Sequence, residues 1–190
     1  NIASTTDGGN GGGLYLSFSA ATLEGNAVLS NTATLSPTAT GRGGGLLVYG
    51  SYPFTLTNTL VAGNHANTEG GGLWVGGQSG DPTVGYLLHT TIADNVGSGQ
   101  GVYVGDYATL SLTNTIIAGH SSVGVYATSG NTITLQSTLW YGNGATTGGP
   151  GAGSIASSGD LTGNPAFVDP AAWDYHIGSG SAALDAGVDA

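Results

Sequence analysis

The sequence predicts an all-β protein, a right-handed parallel β-helix of about six coils. Three observations predict it: two signatures that recur in register, aliphatic residues at fixed offsets from them, and the absence of helical periodicity. Repeats of roughly 20–50 residues indicate stacked units, none of which can bury its apolar face alone. We expect coils over 1–164, and over 165–190 an irregular C-terminal tail that packs on or extends the same single domain.

The first signature ends in asparagine. It marks seven positions, with histidine once in place of asparagine, at spacings of 30, 33, 31, 25, 23 and 21 residues. Where a coil turns, inward-pointing backbone groups must be hydrogen-bonded, and an amide side chain supplies both a donor and an acceptor. We therefore expect a structural ladder at one corner, formed by Asn1, Asn31, Asn64, Asn95, His120, Asn143 and Asn164.

The second signature, glycine followed by an aliphatic residue, opens the first predicted strand of each coil. These strands are 14–16, 46–48, 73–75, 102–104 and 125–127. A second predicted strand leads to each ladder residue, over 23–31, 56–64, 87–95, 112–120 and 135–143. Because side chains alternate along a strand, the first and third columns of the first strand point inward and the middle column points outward.

That middle column predicts an outward, mostly aromatic stripe. Its members are Tyr15, Leu47, Trp74, Tyr103 and Tyr126. Apolar stripes that face water usually mark an interface. Three interpretations stay open: sugar rings stack along the stripe, a neighbouring subunit packs on it, or loops of the same chain such as 50–54 and 76–83 fold over it.

A second outward column is predicted in the second strand. It contains Thr59, Thr90, Thr115 and Thr138, with Thr57 and Thr113 beside it. Paired threonine ladders on a flat face order water and bind ice, but Glu24, Leu88 and Gln136 interrupt the partner column. Threonine is also simply a favourable exposed strand residue, so ice binding is an outside alternative.

Composition restricts the partners. The chain of 190 residues has one Lys or Arg residue, Arg42, against eleven carboxylates, and its formal net charge is −10. Phosphate binding needs cations, so nucleic acid is not an expected partner. No apolar run is long enough for membrane insertion. The chain lacks cysteine and methionine, and we expect an exported segment, extracellular or on the cell surface, whose signal peptide lies upstream.

Catalysis is not predicted, and neither is a metal or cofactor. Glycosidases need two carboxylates at a defined separation, whereas Asp81, Asp94 and Asp106 each occur once, in loops or turns. Asp94 is expected to bond backbone at a corner. Asp169 and Asp174 are too sparse for a calcium site.

The ends of the chain suggest self-association. Asn1 already occupies the ladder column, so the first half of its coil is missing. Uncovered strand edges invite pairing with another chain. We expect 177–190 to meet the open end of a neighbouring copy, which gives a head-to-tail filament; the alternative is that the preceding coil was cut away.

The repeats resemble those of polymorphic outer-membrane-protein-type β-helices. The tail segments 164–170, 173–177 and 180–187 resemble the C-terminal segment of secreted bacterial "choice-of-anchor" β-helix proteins, although Ala182 stands where that family has proline. The resemblance implies an exported surface protein with passenger or adhesin-like roles and no defined enzyme activity.

The function we predict is a non-enzymatic extracellular structural β-helix that self-associates, including head-to-tail into a filament. Its expected partners are other copies of itself. The alternative is an adhesin or carbohydrate-binding module that holds neutral glycans on the aromatic stripe. A polysaccharide-active enzyme is the outside alternative.

Overall fold

A computed structural model describes residues 1–50, 52–105 and 107–189. Strands make up 51% of the chain and helices 3%. The strands of successive coils pair in parallel and in register, as Leu46, Leu73 and Val102 show by lying opposite one another. The predicted all-β parallel β-helix is therefore confirmed.

The strands follow one another in chain order through the coils. The first coils contain β1 (Ile2–Ser4), β2 (Gly9–Asn10), β3 (Leu14–Ser17), β4 (Ala21–Glu24), β5 (Ala27–Leu29), β6 (Thr32–Thr34), β7 (Gly41–Arg42), β8 (Leu46–Tyr49), β9 (Phe54–Thr57) and β10 (Leu60–Ala62). The middle coils contain β11 (His65–Ala66), β12 (Leu73–Gly76), β13 (Thr83–Leu88), β14 (Thr91–Ala93), β15 (Val96–Gly97), β16 (Gln100–Val104), β17 (Ala108–Thr113) and β18 (Ile116–Ala118).

The last coils contain β19 (Val123–Ala127), β20 (Thr132–Gln136), β21 (Leu139–Tyr141), β22 (Ala145–Gly148), β23 (Ile155–Ser158) and β24 (Leu161–Thr162). The tail contains β25 (Phe167–Asp169) and β26 (Asp174–Ile177), which form an antiparallel pair. Two 3₁₀ helices, Ala152–Ser154 and Pro170–Ala172, complete the described elements.

Three long sheets run along the axis. We call them sheet I (β3-β8-β12-β16-β19-β22), sheet II (β4-β9-β13-β17-β20-β23) and sheet III (β5-β10-β14-β18-β21-β24). A shorter sheet, β1-β6-β11-β15, follows the ladder corner in the early coils, and β2 pairs with β7. Six strands per long sheet agree with the prediction of about six coils.

The predicted second strand of each coil is in fact two strands, one in sheet II and one in sheet III. A residue with positive φ separates them, with values from 48° to 64° at Gly25, Asn58, His89, Asn114 and Ser137. This left-handed conformation bends the chain, so the alternation of faces does not continue through the corner. Each of these residues lies six places before a ladder residue.

The core is a set of aliphatic columns between the sheets. Leu46, Leu73 and Val102 are fully buried in sheet I, as are Leu56 and Leu87 in sheet II. Sheet III contributes the column Val28, Val61, Ile92, Ile117 and Trp140, in register along β5, β10, β14, β18 and β21. These columns supply the buried apolar surface on which a stacked repeat depends.

The last coil departs from this pattern. Thr147, Ser157 and Thr162 lie in register with Val125, Leu135 and Trp140 of the coil before. Polar residues replace aliphatic ones there, as they do in the terminal repeats of other solenoids. The core therefore ends in a polar coil.

The tail runs back along the outer face of sheet III. Phe167 and Tyr175 meet edge to face, with ring centroids 4.9 Å apart, and Tyr175 packs on Ala62, Ala93 and Ala118. The described part of 177–190 also lies along this side, where the backbone of Val188 bonds to the side chain of Asn114. The expectation that this segment also meets the open end of a neighbouring copy is not tested by a single chain and stays a prediction.

Candidate functional site

The predicted stripe is a column of sheet I in which three rings stack on one another. Tyr15, Leu47, Trp74, Tyr103 and Tyr126 lie in register along β3, β8, β12, β16 and β19. Trp74 and Tyr103 are nearly parallel at a centroid distance of 6.4 Å, and Tyr103 and Tyr126 at 5.0 Å. Both faces of Tyr103 are therefore directed at other rings.

Two members of the column do not belong to this stack. Leu47 is 3% exposed and is not part of an outward surface, because the longer side chains of Tyr15 and Trp74 flank it on both sides. Tyr15 is 50% exposed. Tyr49 and Phe18 extend the stack instead, with centroids 6.4 Å from Trp74 to Tyr49 and 5.6 Å from Tyr49 to Phe18.

Other groups cover the stack from outside. Arg42 donates to Glu69 over 2.7 Å, and its guanidinium lies 5.8 Å from the centre of the Trp74 ring. Glu69 also accepts from the indole N–H of Trp74 over 2.9 Å. The hydroxyl of Tyr49 meets Gln78 of the loop 76–83 at 3.2 Å. In the other loop, 50–54, Ser51 lies outside the described residues.

This arrangement limits what the stripe can bind. A sugar stacks on an open ring face, but the ring faces of Trp74, Tyr103 and Tyr126 are directed at each other, at Arg42 or, beyond Tyr126, at the backbone of Gly149. Stacked aromatic pairs stabilise by about 0.5–1.5 kcal/mol beyond their buried area. The column is built to hold successive coils together.

The ladder forms a continuous hydrogen-bond chain from Asn1 to Asn143. The backbone N–H and Nδ2 of Asn31 both donate to Oδ1 of Asn64, at 2.9 and 3.0 Å. Asn64 repeats this with Asn95, at 3.0 Å for both bonds. At the first position Asn1 donates to Oδ1 of Asn31. The amides of Asn1, Asn31 and Asn64 therefore bind the coil that follows, and Asn143 donates back to the carbonyl of Ile117.

His120 takes the place of an amide in one tautomer. Its Nδ1 lies 2.9 Å from Oδ1 of Asn143, an acceptor, and its Nε2 lies 3.3 Å from Nδ2 of Asn95, a donor. Nδ1 therefore carries the proton and Nε2 accepts. Burial lowers the pKa of His120 to about 4, because the charged ring would lose its hydration. The imidazole is neutral near pH 7.

Asn164 does not join the ladder in the part of the chain that the structure describes. It is exposed, and its Oδ1 accepts from the N–H of Ala166 over 2.8 Å. The chain leaves the coils at Pro165, so no coil follows there to receive the amide. The prediction for Asn164 was wrong.

The predicted outward threonine column is buried. Thr59, Thr90, Thr115 and Thr138 are each 0–1% exposed, because each follows a left-handed corner residue and turns inward. The hydroxyl of Thr59 donates to the carbonyl of Thr57 over 3.1 Å, and that of Thr90 to the carbonyl of Leu88 over 3.1 Å. Buried hydroxyls cannot order water at the surface, so this column does not support ice binding.

The carboxylates considered for catalysis are separately occupied. Asp81 accepts from Gln78 over 3.1 Å. Asp94 accepts from the hydroxyl of Tyr175 over 2.8 Å, so it binds the tail and not backbone at its own corner. Burial, and then this hydrogen bond, raise the pKa of Tyr175. Asp106 lies outside the described residues.

The two tail carboxylates are also used locally. Asp169 caps the helix Pro170–Ala172 by accepting from Ala172 N–H. Asp174 lies 2.6 Å from Nδ1 of His176, and the backbone N–H of His176, followed by its ring, lowers the pKa of Asp174. Among the described residues no three acidic or histidine side chains are grouped to hold a metal ion.

Asp160 is a structural residue that the sequence did not point to. Its Oδ1 accepts from Thr138 N–H at 3.0 Å, and its Oδ2 accepts from Trp140 Nε1 at 3.0 Å and Ser157 Oγ at 2.7 Å. It thus satisfies donors of the preceding coil at the polar end of the helix. Its position, four residues before the candidate amide of Asn164, carried no distinguishing signal.

A groove between the tail and sheet III has a volume of about 540 Å³. Its floor includes Thr91, Ile116 and Leu139, which lie in one outward column of sheet III. Asn58 and His89 lie on the corner side. A signal for this rim exists in the sequence: a polar residue followed by threonine recurs six places before the ladder residue, from Asn58 to Ser137.

In the described ranges, neither 3₁₀ helix has the length and hydropathy needed to cross a bilayer. No protein-family model, curated protein or solved structure matches the chain.

Proposed function

We propose that this chain is a non-enzymatic structural β-helix of an exported protein, and that it self-associates. The observation that supports it most directly is how the polar and aromatic side chains are used. Those of the ladder and of the aromatic stack bond or stack along the axis, coil to coil. They hold the solenoid together and do not converge on a substrate.

The carboxylates support a non-catalytic role. A glycosidase needs one protonated and one ionised carboxyl facing a common groove. Here Asp94 binds the tail, Asp160 binds the preceding coil, and Glu69 binds Arg42 and Trp74. Each of these carboxylates accepts from a different structural donor.

Self-association is proposed to use the strand edges of the last coil. In the described structure β22, β23 and β24 each pair with one neighbour in their sheets, and Tyr175 of the tail packs on the face of sheet III. Unpaired strand edges are templates for another chain. A heterologous contact of this kind repeats into a filament unless it closes.

The polar residues of the last coil limit the apolar surface that such a contact can bury. With Thr147, Ser157 and Thr162 facing inward, a second copy would gain backbone hydrogen bonds and little apolar burial. We therefore propose an association that depends on concentration. An extracellular or cell-surface location is proposed from the composition and from the resemblance to secreted β-helix proteins.

Sedimentation velocity and electron microscopy over a range of concentrations test self-association. The variant Thr162→Lys places a charge on the last-coil edge, and Thr134→Lys places the same charge on the outer face of an internal strand. We expect multimers of the parent chain and of Thr134→Lys, and a shift to monomers for Thr162→Lys. Monomers of all three at the highest concentration would overturn the proposal of self-association.

The non-enzymatic role has its own test. Incubation with neutral polysaccharides, followed by chromatography of the products, is expected to release no fragments. Release that disappears in Asp81→Asn or Asp94→Asn would contradict the proposal.

The glycan-binding alternative on the aromatic stripe has weaker support. The ring faces that sugars would need are directed at one another, as described above. Retention on immobilised neutral glycans that is lost in Trp74→Leu, with the fold intact, would favour that alternative. Leucine fits this column, because Leu47 occupies the neighbouring position.

A further inference from the structure

We propose that the groove between sheet III and the tail binds a neutral oligosaccharide. Two adjoining cavities, of about 540 and 390 Å³, form this groove and share five lining residues, among them His89 and Tyr175. Binding sites for small ligands have volumes of roughly 300–1,000 Å³. The groove is large enough for a ligand that extends over several coils.

The floor of the groove is a column of sheet III. Leu60, Thr91, Ile116, Leu139 and Leu161 lie in register on five successive strands. Successive strands are about 4.8 Å apart, so these residues form a mostly apolar strip parallel to the axis. Leu139 is 2% exposed and the other four are half-buried. The strip suits the C–H face of a linear chain of sugar rings.

The rims supply hydrogen bonds. On the corner side stand Asn58, His89 and Ser137, whose amide, imidazole and hydroxyl groups both donate and accept. Asn114, between His89 and Ser137, is bonded to the backbone of Val188. On the tail side stand Tyr175, whose hydroxyl already donates to Asp94, and His176, whose Nδ1 lies 2.6 Å from Asp174. Groups that donate and accept match sugar hydroxyls, which do the same. An apolar floor between such rims is the lining expected of an amphipathic ligand site.

Trp173 adds an aromatic surface at one end. It lines the second cavity and is 42% exposed. Its backbone is left-handed, with φ of 64°, and its ring packs against Gly63, where a β-carbon would come within 2.5 Å of the indole. The ring is therefore held in place beside the groove with part of its surface open.

Charge decides between ligand classes. With a formal net charge of −10, the chain repels anions. No lysine exists, and the one arginine, Arg42, is paired with Glu69 on another face. Uronic acids, sulfated sugars and anionic lipids are therefore disfavoured. An extended peptide would pair with the strand edge of β26 and would not use the apolar strip on the face of sheet III.

A matched pair of substitutions tests the site. Thr91→Tyr fills the floor, and Thr55→Tyr makes the same change on the outer face of sheet II, where Tyr86 is the neighbour in register. A second variant, Asn58→Gly with His89→Gly, removes two polar side chains of the corner rim and keeps the corners, because Gly25 occupies the equivalent corner of the first coil.

The probes are hexasaccharides of glucose, mannose, xylose and N-acetylglucosamine, with binding followed by calorimetry and by saturation-transfer NMR. At least one is expected to bind the parent chain and Thr55→Tyr equally. The affinity is expected to fall about tenfold or more in Thr91→Tyr and in the rim variant. Circular dichroism and melting temperatures check that the variants fold.

Two results would overturn the proposal. One is that no hexasaccharide binds the parent chain. The other is that binding survives both groove variants, which would place it elsewhere on the molecule. If an unrelated extended peptide binds and no saccharide displaces it, the proposal is overturned in the same way as by the first result. Thr162→Lys separates this site from self-association, since it is expected to leave saccharide binding unchanged.

Discussion

Gly72 lies directly against the ladder amide of Asn95. A β-carbon at Gly72 would stand 2.8 Å from Nδ2 of Asn95 and 2.8 Å from the carbonyl oxygen of Gly101. Gly13 and Gly45 have the same relationship with Asn31 and Asn64, at 2.7 and 2.9 Å. The two sequence signatures are therefore one device, in which glycine leaves the space that the amide fills.

Gly72→Ala is expected to destabilise the protein by about 2–4 kcal/mol, because the new methyl group displaces a buried amide from its hydrogen bonds. Urea denaturation measures the loss in the free energy of unfolding. Gly153→Ala is the control, since a β-carbon there has nothing within 4 Å. Equal stabilities for the two variants would mean that the ladder tolerates movement of the amide.

The sequence was sufficient for the features set by the repeat itself. The aliphatic columns and the ladder from Asn1 to Asn143 follow from spacing, because residues one coil apart are forced into register. Features set by local backbone conformation were not predictable in the same way. The recurrence of a polar residue before threonine, as at Asn58 and His89, marks the corner but does not specify a left-handed backbone, so the inward turn of Thr59 and Thr90 was missed.

Features set by contacts between distant segments were also missed. Tyr175 and Asp94 are 81 residues apart in the sequence, and no repeat relates them. The sequence predicted which residues form the stripe, but the tilt of each ring depends on side-chain packing. Tyr49 and Phe18 extend the stack for that reason, although they belong to other columns.

His120 is expected to make stability depend on pH. Its pKa is about 4 in the folded state and 6.5 ordinarily, so between these values the unfolded chain binds more protons. The contribution of His120 to the free energy of unfolding is fully present above pH 6.5. It falls by on the order of 3 kcal/mol as the pH drops towards 4. Urea denaturation at pH 7, 6, 5 and 4 measures it.

His120→Asn should remove that part of the acid sensitivity, because an amide restores the ladder without a titrating group. His89→Asn is the matched control, since it removes an exposed imidazole at a corner where Asn58 shows that asparagine fits. If His120→Asn and the parent chain lost the same stability between pH 7 and 4, the ring would not be the buried neutral group described above.

Asp160 is expected to be needed at the C-terminal end of the coils. Asp160→Ala leaves the donors of Thr138 and Trp140 without their partner, and each unsatisfied buried donor costs about 1–3 kcal/mol. A lower melting temperature is therefore predicted. Asp7→Ala, which removes an exposed carboxylate bonded to the neighbouring Thr6, should change stability little. Similar melting temperatures for both variants would contradict a capping role.

Tyr175 is expected to hold the tail on sheet III. Tyr175→Phe keeps the apolar contact with Ala62 and Ala93 but removes the hydrogen bond to Asp94, and so leaves a carboxylate without its partner. We expect a loss of about 1–3 kcal/mol. Hydrogen exchange should rise in β25 and β26 and stay unchanged in β12 and β16. Tyr141→Phe, at a tyrosine that is 44% exposed, is the control for loss of a hydroxyl. Faster exchange throughout the coils would instead mean that the tail and the solenoid unfold as one unit.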